Sequence, residues 1–281
     1  MNYSSNLRTR ISCLLLASAP LCGSAAFGQG DSGFLRGEGK GTLVLTYGQE
    51  SYDEFWVGTT RTASAEFGSP TRSFYNIYGE YGISDSVDVG LSVTYVDMDG
   101  TPAIKGGADI KDLVFFVKAR LLTHKSDVGE FSLLAKPGVK LPLAEHDDVG
   151  LDAFGDEQVD WQGRLVAQFK LLSGMFVASE FGYDKRNEVA HDRTYFSTTI
   201  GCPVTSDFSL SAFYSILDTH GGGDFGLVPL ANQEADSTRV GANAYYKIDE
   251  KYGMSLTAWE VLDGRNTGDE FGFSVGVIVG W

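Results

Sequence analysis

The sequence predicts an all-β protein, a transmembrane antiparallel up-and-down β-barrel of about twelve strands with both termini periplasmic. Three observations predict this fold. The chain begins with an export signal, continues through segments in which apolar and polar residues alternate, and ends on an aromatic residue at the close of such a segment. Alternation with a period of two is typical of a strand between two different environments, which in a membrane barrel are the lipid and the lumen.

The N-terminal region has the parts of a cleavable signal peptide. Arg8 and Arg10 precede an apolar run at 11–19, and small residues follow. The run is too short to span a bilayer as a helix. We place cleavage after Gly28, with cleavage after Ala26 as the alternative. A chain exported on this signal has no cytoplasmic role, and we expect it in the bacterial outer membrane.

Cleavage after Gly28 divides the chain into a signal peptide at 1–28, a periplasmic N-terminal lead at 29–40 and a transmembrane barrel at 41–281. The lead is polar and rich in glycine, so we expect it to be loosely ordered. Cys202 is left as the single cysteine, and no disulfide framework is expected.

The composition of the mature chain favours a barrel and excludes one class of partner. Cleavage removes two arginines, so the mature chain has 20 Lys+Arg residues instead of 22. Against 37 Asp+Glu residues this gives the mature chain a net charge of −17. This charge argues against nucleic-acid binding, which needs a basic surface. No apolar run is long, as expected when lipid-facing and lumen-facing residues alternate. A soluble periplasmic β-sandwich is the alternative fold.

The strand-like segments lie at 41–49, 72–83, 87–97, 109–122, 130–142, 158–171, 175–184, 192–204, 208–218, 238–248, 253–262 and 271–281. Their connections alternate between long and short, as outer loops and periplasmic turns do. A long polar and aromatic loop at 50–70 follows the first segment. The first and eighth segments are weakly patterned, so counts of ten or fourteen strands stay open. Pro137 has no N–H group and predicts a bulge or a weak ladder in the fifth strand.

The final strand has the clearest two-faced pattern. Its apolar face consists of Phe271, Phe273, Val275, Val277, Val279 and Trp281. The intervening residues are mostly glycine and serine. This strand resembles the C-terminal strand of bacterial outer-membrane barrels, in which the terminal aromatic and the apolar residues before it are the barrel-assembly signal. The resemblance implies the barrel-assembly machinery as a partner. Trp281 departs from the usual terminal Phe but has similar ring chemistry.

Three further stretches carry a family resemblance: Ser86-Val-Asp-Val-Gly-Leu-Ser-Val-Thr-Tyr95, Gly107-Ala-Asp-Ile-Lys-Asp-Leu-Val-Phe-Phe-Val-Lys118 and Pro137-Gly-Val-Lys-Leu-Pro142. Together they resemble the outer-membrane proteins grouped as the "MetA-pathway of phenol degradation" family. The resemblance implies a transporter barrel for small, often aromatic or hydrophobic, compounds, and no catalytic residues. Where members often have Pro-Thr-Gly, this chain has Pro-Leu-Ala-Glu-His146.

The predicted lumen face carries many charges on neighbouring strands. Its basic residues are Lys118, Arg120, Lys136, Lys140, Arg164 and Lys170, and its carboxylates include Glu80, Asp88, Asp112, Asp160 and Glu180. One hypothesis is an open channel for passive passage of small molecules, in which this basic ladder biases the solutes that pass. The alternative is a structural or adhesive barrel whose charges pair with one another and close a narrow lumen.

The predicted loops suggest two weaker interpretations. The acidic and aromatic segments 52–56 and 145–148 suit ligand capture or divalent cations bridging to lipopolysaccharide, but a solvated surface is the favoured interpretation. An Asp97/Asp99 pair and an Asp218/His220 pair at the predicted outer rim resemble the catalytic layout of omptin proteases.

We nevertheless expect a protein that is not an enzyme. The sequence contains no metal cluster, phosphate loop or nucleotide fingerprint, so no cofactor is expected. The expected partners are outer-membrane lipid, lipopolysaccharide and a small-molecule solute.

Overall fold

The computed structural model describes residues 31–63, 68–101, 106–144, 158–187, 190–224 and 233–281. Within these ranges the chain forms thirteen antiparallel strands. They are β1 (Gly41–Val57), β2 (Thr60–Ala63), β3 (Thr71–Ser84), β4 (Val87–Met98), β5 (Gly107–Lys125), β6 (Gly129–Pro142), β7 (Asp160–Leu171), β8 (Phe176–Arg186), β9 (Arg193–Pro203), β10 (Phe208–Thr219), β11 (Asp236–Lys247), β12 (Tyr252–Arg265) and β13 (Gly268–Gly280). None of the described segments is a helix long and apolar enough to cross a membrane.

The strands close into a barrel. Each long strand pairs with its neighbour in the sequence, and β13 pairs with β1 from Thr42–Gly280 to Phe55–Gly268. The short β2 pairs only with the end of β1 and stands outside this ring. The prediction of a twelve-stranded up-and-down barrel is therefore confirmed, and the sandwich alternative is wrong.

The first strand is longer than the sequence suggested. The prediction of a loop from residue 50 is wrong, because β1 continues to Val57 and turns into β2. Tyr52 and Phe55 are buried inside the barrel, stacked with ring centroids 5.7 Å apart. A bulge between Tyr52 and Glu54 shifts the alternation at this point and hides the strand in the sequence.

The two ends of the barrel differ. At the short-turn end, strands are joined by tight turns at 85–86, 126–128, 172–175, 204–207 and 248–251, and β1 begins and β13 ends there. At the long-loop end the connections include 99–106, 143–159 and 220–235. The connection at 266–267 is a short exception, because β12 and β13 extend beyond the predicted strands.

Alternation produces the two faces as predicted. Outward side chains such as Leu45, Ile77 and Phe115 are 47%, 49% and 45% exposed. On a soluble protein so many exposed apolar side chains would be an aggregation liability, whereas on a barrel they form the lipid-facing belt. At the end of the chain, Phe271 of β13 and Trp281 just after it point outward, while Gly272 and Ile278 are buried.

The β5–β6 ladder is interrupted beside Pro137. Phe116 pairs with Gly138 and Ala119 pairs with Ala135, but the positions between them are unpaired. Since proline cannot donate a ladder hydrogen bond, the weak ladder predicted from Pro137 is confirmed.

Candidate functional site in the barrel lumen

The lumen contains ten of the charged residues that the sequence predicted there. Glu80, Asp88, Lys118, Lys136, Lys140, Asp160 and Glu180 are buried. Arg120, Arg164 and Lys170 are half-buried on inward positions of β5 and β7. The strands β5, β6 and β7 therefore form a wall of basic side chains, which we call the charged wall. A role of these residues in selectivity stays a prediction.

At the long-loop end of the charged wall, one aspartate holds two cations. Lys140 Nζ lies 2.9 Å from Asp160 Oδ2, and Arg186 Nε lies 3.1 Å from Asp160 Oδ1. Asp160 and Arg186 lie opposite each other on β7 and β8, and Lys140 lies opposite Asp160 on β6. Strand register thus builds this triad. Arg186 was not among the predicted lumen residues, because its partner Asp160 follows only from the strand register.

Arg164 occupies the middle of the charged wall. Its Nη1 lies 2.5 Å from Asp184 Oδ1, and its Nε lies 3.5 Å from Glu180 Oε1. Its guanidinium stands 5.6 Å from the ring centroid of Tyr195. The side chain crosses the inward position of Gly182, where a Cβ would collide with it. A glycine on β8 therefore provides the space for this arginine.

Lys118 and Lys136 converge on a residue that lies outside the barrel strands. Lys118 Nζ lies 3.0 Å from Asp31 Oδ1, and Lys136 Nζ lies 2.8 Å from Asp31 Oδ2. Glu80 Oε1 is more distant, at 3.5 Å from Lys118 Nζ. Burial raises the pKa of the Asp31 carboxyl, but the ammonium groups of Lys118 and Lys136 lower it by more, so the pKa lies well below its usual value.

The lead containing Asp31 lies inside the barrel. Its backbone N–H groups donate to lumen side chains: Asp31 to Glu180 Oε2 at 2.5 Å, Gly33 to Gln168 Oε1 at 2.9 Å and Arg36 to Asp88 Oδ2 at 2.8 Å. The expectation of a loosely ordered lead is therefore wrong for residues 31–36. Polar groups of the inner wall satisfy a backbone that has no strand partner.

Side chains of the lead reinforce this contact. Arg36 Nε donates to Glu80 Oε2 at 2.6 Å, and Phe34 packs edge-on against Phe176 with centroids 5.2 Å apart. Lys170 Nζ lies 5.4 Å from the Phe34 ring centroid. The lead therefore narrows the lumen from the short-turn end to about the level of Lys136, midway along β6.

Much of the remaining lumen surface is aromatic, and it adjoins the charged wall at Phe116 on β5. One buried cluster consists of Phe74, Val96, Phe213 and Trp259, and a second, nearer the short-turn end, consists of Val44, Tyr78, Phe116, Tyr245 and Ile278. The rings cover inward glycines of neighbouring strands: Phe74 covers Gly48, Phe116 covers Gly90, Phe213 covers Gly241 and Trp259 covers Gly272. Rings laid over glycines line the wall without projecting far from it. We call this surface the aromatic wall.

Two ion pairs flank the seam between β1 and β13. Arg72 pairs with Glu50, which also accepts a hydrogen bond from Tyr52 Oη at 3.0 Å. On the other side of the seam, Arg239 Nη2 lies 3.1 Å from Glu270 Oε1. Trp259 Nε1 donates to the same carboxylate at 3.2 Å. These contacts stabilise the pairing of β1 with β13, which closes the barrel. Their residues were not among the predicted site residues.

The residues of the protease alternative are not brought together. His220 Nε2 lies 3.0 Å from Thr194 Oγ1 and 3.8 Å from Asp218 Oδ2. Among the contacts of the described residues, none joins Asp97 or Asp99 to this pair. Within the same ranges, no group of three or more His, Cys, Asp or Glu side chains could hold a metal ion. The acidic segment 145–148 lies outside the residues that the structure describes.

Comparison with known proteins finds similarity in solved structures, whereas no family model and no curated protein matches the chain. The crystal structure of the COG4313 outer membrane channel from Pseudomonas putida F1 superposes with a TM-score of 0.68 at 12% identity, over 92% of this chain and 99% of that chain. The NanC porin, in a rhombohedral crystal form, superposes with a TM-score of 0.54 at 9% identity, over 84% of this chain and 98% of that chain.

These similarities are similarities of fold. Together with the closed barrel and its exposed apolar belt, they assign the chain to the bacterial outer-membrane β-barrel class, of which both solved structures are members. The relationship to the "MetA-pathway of phenol degradation" group stays a prediction from the motifs of the sequence.

Proposed function

We propose that this protein is an outer-membrane channel for the passive passage of small molecules. The observation that carries the proposal is the charged wall, which runs from Lys170 near the short-turn end to Lys140 at the long-loop end. A row of like charges along a lumen attracts counter-ions and biases the solutes that pass. The fold likeness to an outer-membrane channel supports the same role.

The composition of the two walls suggests the kind of solute. The charged wall offers hydrogen bonds and positive charge, and the adjoining aromatic wall offers a flat apolar surface. Small compounds that combine a polar group with an apolar or aromatic body fit between such walls. The family resemblance in the sequence favours the same class of compounds.

A closed structural barrel is the second candidate, favoured by a different observation. Asp31 and Arg36 of the lead neutralise lumen charges and fill space at the short-turn end. Paired charges in a narrow lumen leave few free groups for a solute. The two candidates therefore differ in whether a wet path runs past the lead.

Osmotic swelling of liposomes separates the two candidates. The mature chain is refolded into liposomes, which are then diluted into isotonic arabinose or into isotonic raffinose, a larger sugar. A channel gives rapid swelling in arabinose and slow swelling in raffinose, and heat-unfolded protein serves as the control. Swelling at the rate of empty liposomes in both sugars, with a folded barrel, would overturn the channel and leave the closed barrel.

We also propose that residues 1–28 are removed on export and that the short-turn end faces the periplasm, as in barrels with short periplasmic turns. The test is a Lys251→Cys variant in a Cys202→Ser background. A membrane-impermeant maleimide labels it only after the outer membrane is permeabilised. Labelling of intact cells would contradict this orientation.

A further inference from the structure

We propose that Lys118 and Lys136 form a binding site for the carboxylate of a small organic anion, and that Asp31 occupies this site from within the chain. The inference rests on the channel function proposed above, which it deepens by naming a solute class. Asp31 then acts as a built-in competitor that an anionic solute displaces during passage.

The geometry of the two lysines is that of an anion site. Both ammonium groups lie within 3.0 Å of the same carboxylate, one on each oxygen. Lys118 is 1% exposed and Lys136 is 8% exposed. Buried ammonium groups need a counter-charge, because desolvation without one is costly. Two neighbouring strands thus hold two cations at the spacing of one carboxylate group.

The occupant of the site is replaceable, because Asp31 is not part of a strand ladder. The segment from Asp31 to Arg36 is held in the lumen by side-chain acceptors: Glu180, Gln168 and Asp88. An incoming carboxylate that takes the place of the Asp31 carboxylate restores both charge-assisted contacts to the lysines. Exchange therefore leaves the barrel and its ladders intact.

The surroundings extend the site beyond a bare anion. Lys136 Nζ lies 4.3 Å from the Phe116 ring centroid, and Phe116 stacks on Tyr78 with centroids 5.9 Å apart. This pair belongs to the aromatic wall, so a flat surface adjoins the two ammonium groups. A solute with a carboxylate and an apolar body contacts both at once. Glu80 and Glu180, which face the lysines, disfavour anions with more than one charge.

Binding of benzoate to the refolded mature chain tests the proposal, with benzamide as the uncharged isostere. Asp31→Asn removes the competing charge and keeps the side-chain size. Glu38→Gln is the matched control, because Glu38 lies on the same segment with an exposed side chain.

Isothermal titration in detergent is expected to give about tenfold tighter benzoate binding for Asp31→Asn than for wild type, since hydrogen bonds to charged groups are the stronger ones. Glu38→Gln is expected to match wild type, and benzamide affinity is expected to be the same in all three proteins.

A double variant tests whether the gain in benzoate affinity comes from the two lysines or from a lead that is held less tightly in the lumen. Asp31→Asn combined with Lys136→Gln is expected to lose the gain in benzoate affinity. Persistence of the gain without Lys136, or equal benzoate affinity in Asp31→Asn and wild type, would overturn the proposal. The readout is independent of conduction. Tighter benzoate binding by proteins that do not conduct would keep the anion site and overturn the channel.

Discussion

Gly41 and Trp281 are joined by two backbone hydrogen bonds. The Gly41 nitrogen lies 3.1 Å from the Trp281 carbonyl oxygen, and the Trp281 nitrogen lies 3.2 Å from the Gly41 carbonyl oxygen. The Trp281 ring also covers Gly41, where a Cβ would collide with it. This pair continues the β1–β13 seam to the short-turn end of the barrel. In a membrane every backbone donor and acceptor needs a partner, so the seam decides whether the barrel can exist there.

The lipid-facing side of the closing strand is expected to be intolerant of charge. Val275 points outward near the middle of β13, between Tyr47 and Leu256 on the neighbouring strands. Val275→Arg is expected to lower the free energy of unfolding in lipid by about 2–4 kcal/mol, measured by urea titration. The control is Val128→Arg, which makes the same change at an exposed turn position. Equal stability of the two variants would contradict a lipid-facing β13.

The aromatic wall depends on the glycines beneath its rings. Gly272→Ala places a Cβ against the Trp259 ring, which also donates to Glu270. Displacing the ring from a packed position is expected to cost about 1–3 kcal/mol of unfolding free energy, measured by urea titration in lipid. Gly79→Ala is the control, because the nearest atom to its Cβ is 4.0 Å away. A Gly272→Ala variant as stable as Gly79→Ala would show that the ring is not held there.

The charged wall is expected to set ion preference. Lys136→Glu combined with Arg164→Glu reverses two inward charges, and the reversal potential in a salt gradient is expected to shift toward cations. The control reverses two exposed charges at the short-turn end, with Lys125→Glu and Lys251→Glu. An ion preference that moves equally in both double variants would exclude the wall as the selectivity element.

Asn266 fastens three loop segments at the long-loop end. Its Oδ1 accepts the Gly58 N–H at 2.8 Å, its Nδ2 donates to Glu234 O at 2.8 Å, and its φ of 48° is left-handed. Asn266→Gly keeps the backbone freedom and removes the side-chain bonds. Faster hydrogen exchange at Gly58 is expected in Asn266→Gly, and no change is expected in the exposed-loop control Asn187→Ala. Unchanged protection of the Gly58 amide from exchange would mean that the Asn266 side-chain hydrogen bonds do not stabilise these loops.

Asp192 is expected to stay ionised in mild acid. A hydrogen bond from Tyr183 Oη, together with the Arg186 N–H and the Lys185 ammonium, lowers the pKa of Asp192 to about 2. A depressed carboxyl pKa stabilises the folded loop above the ordinary value near 3.8, and this contribution is lost as the pH falls toward 2. Carboxyl-carbon NMR titration measures the pKa directly, and Tyr183→Phe is expected to raise it. A wild-type pKa near 4 would contradict the contact.

The alternation of residues predicted which side chains face the lumen, because the strand period is two and depends only on local sequence. Glu80, Lys118 and Glu180 are all inward for this reason. Pairing could not be predicted in the same way. Asp31 meets Lys118 and Glu180 across separations of 87 and 149 residues, and a short polar segment has no periodicity that points to such partners.

The seam residues show a second limit. Glu50 and Tyr52 were assigned to a loop, because the bulge after Tyr52 breaks the alternation. Arg72, which pairs with Glu50 and stands over the Tyr52 ring, is therefore not recognisable from the sequence as a site residue. The aromatic wall was missed for a related reason: the rings and the glycines beneath them lie on different strands, and only the register brings them together.

Single-channel recording of the refolded mature chain in a planar bilayer tests the central claim most directly. Reproducible open steps with a preference for anions, set by the charged wall, are the predicted result. A correctly folded barrel that stays silent over the same range of voltages would contradict the channel and support a lumen closed by its ion pairs and by the lead.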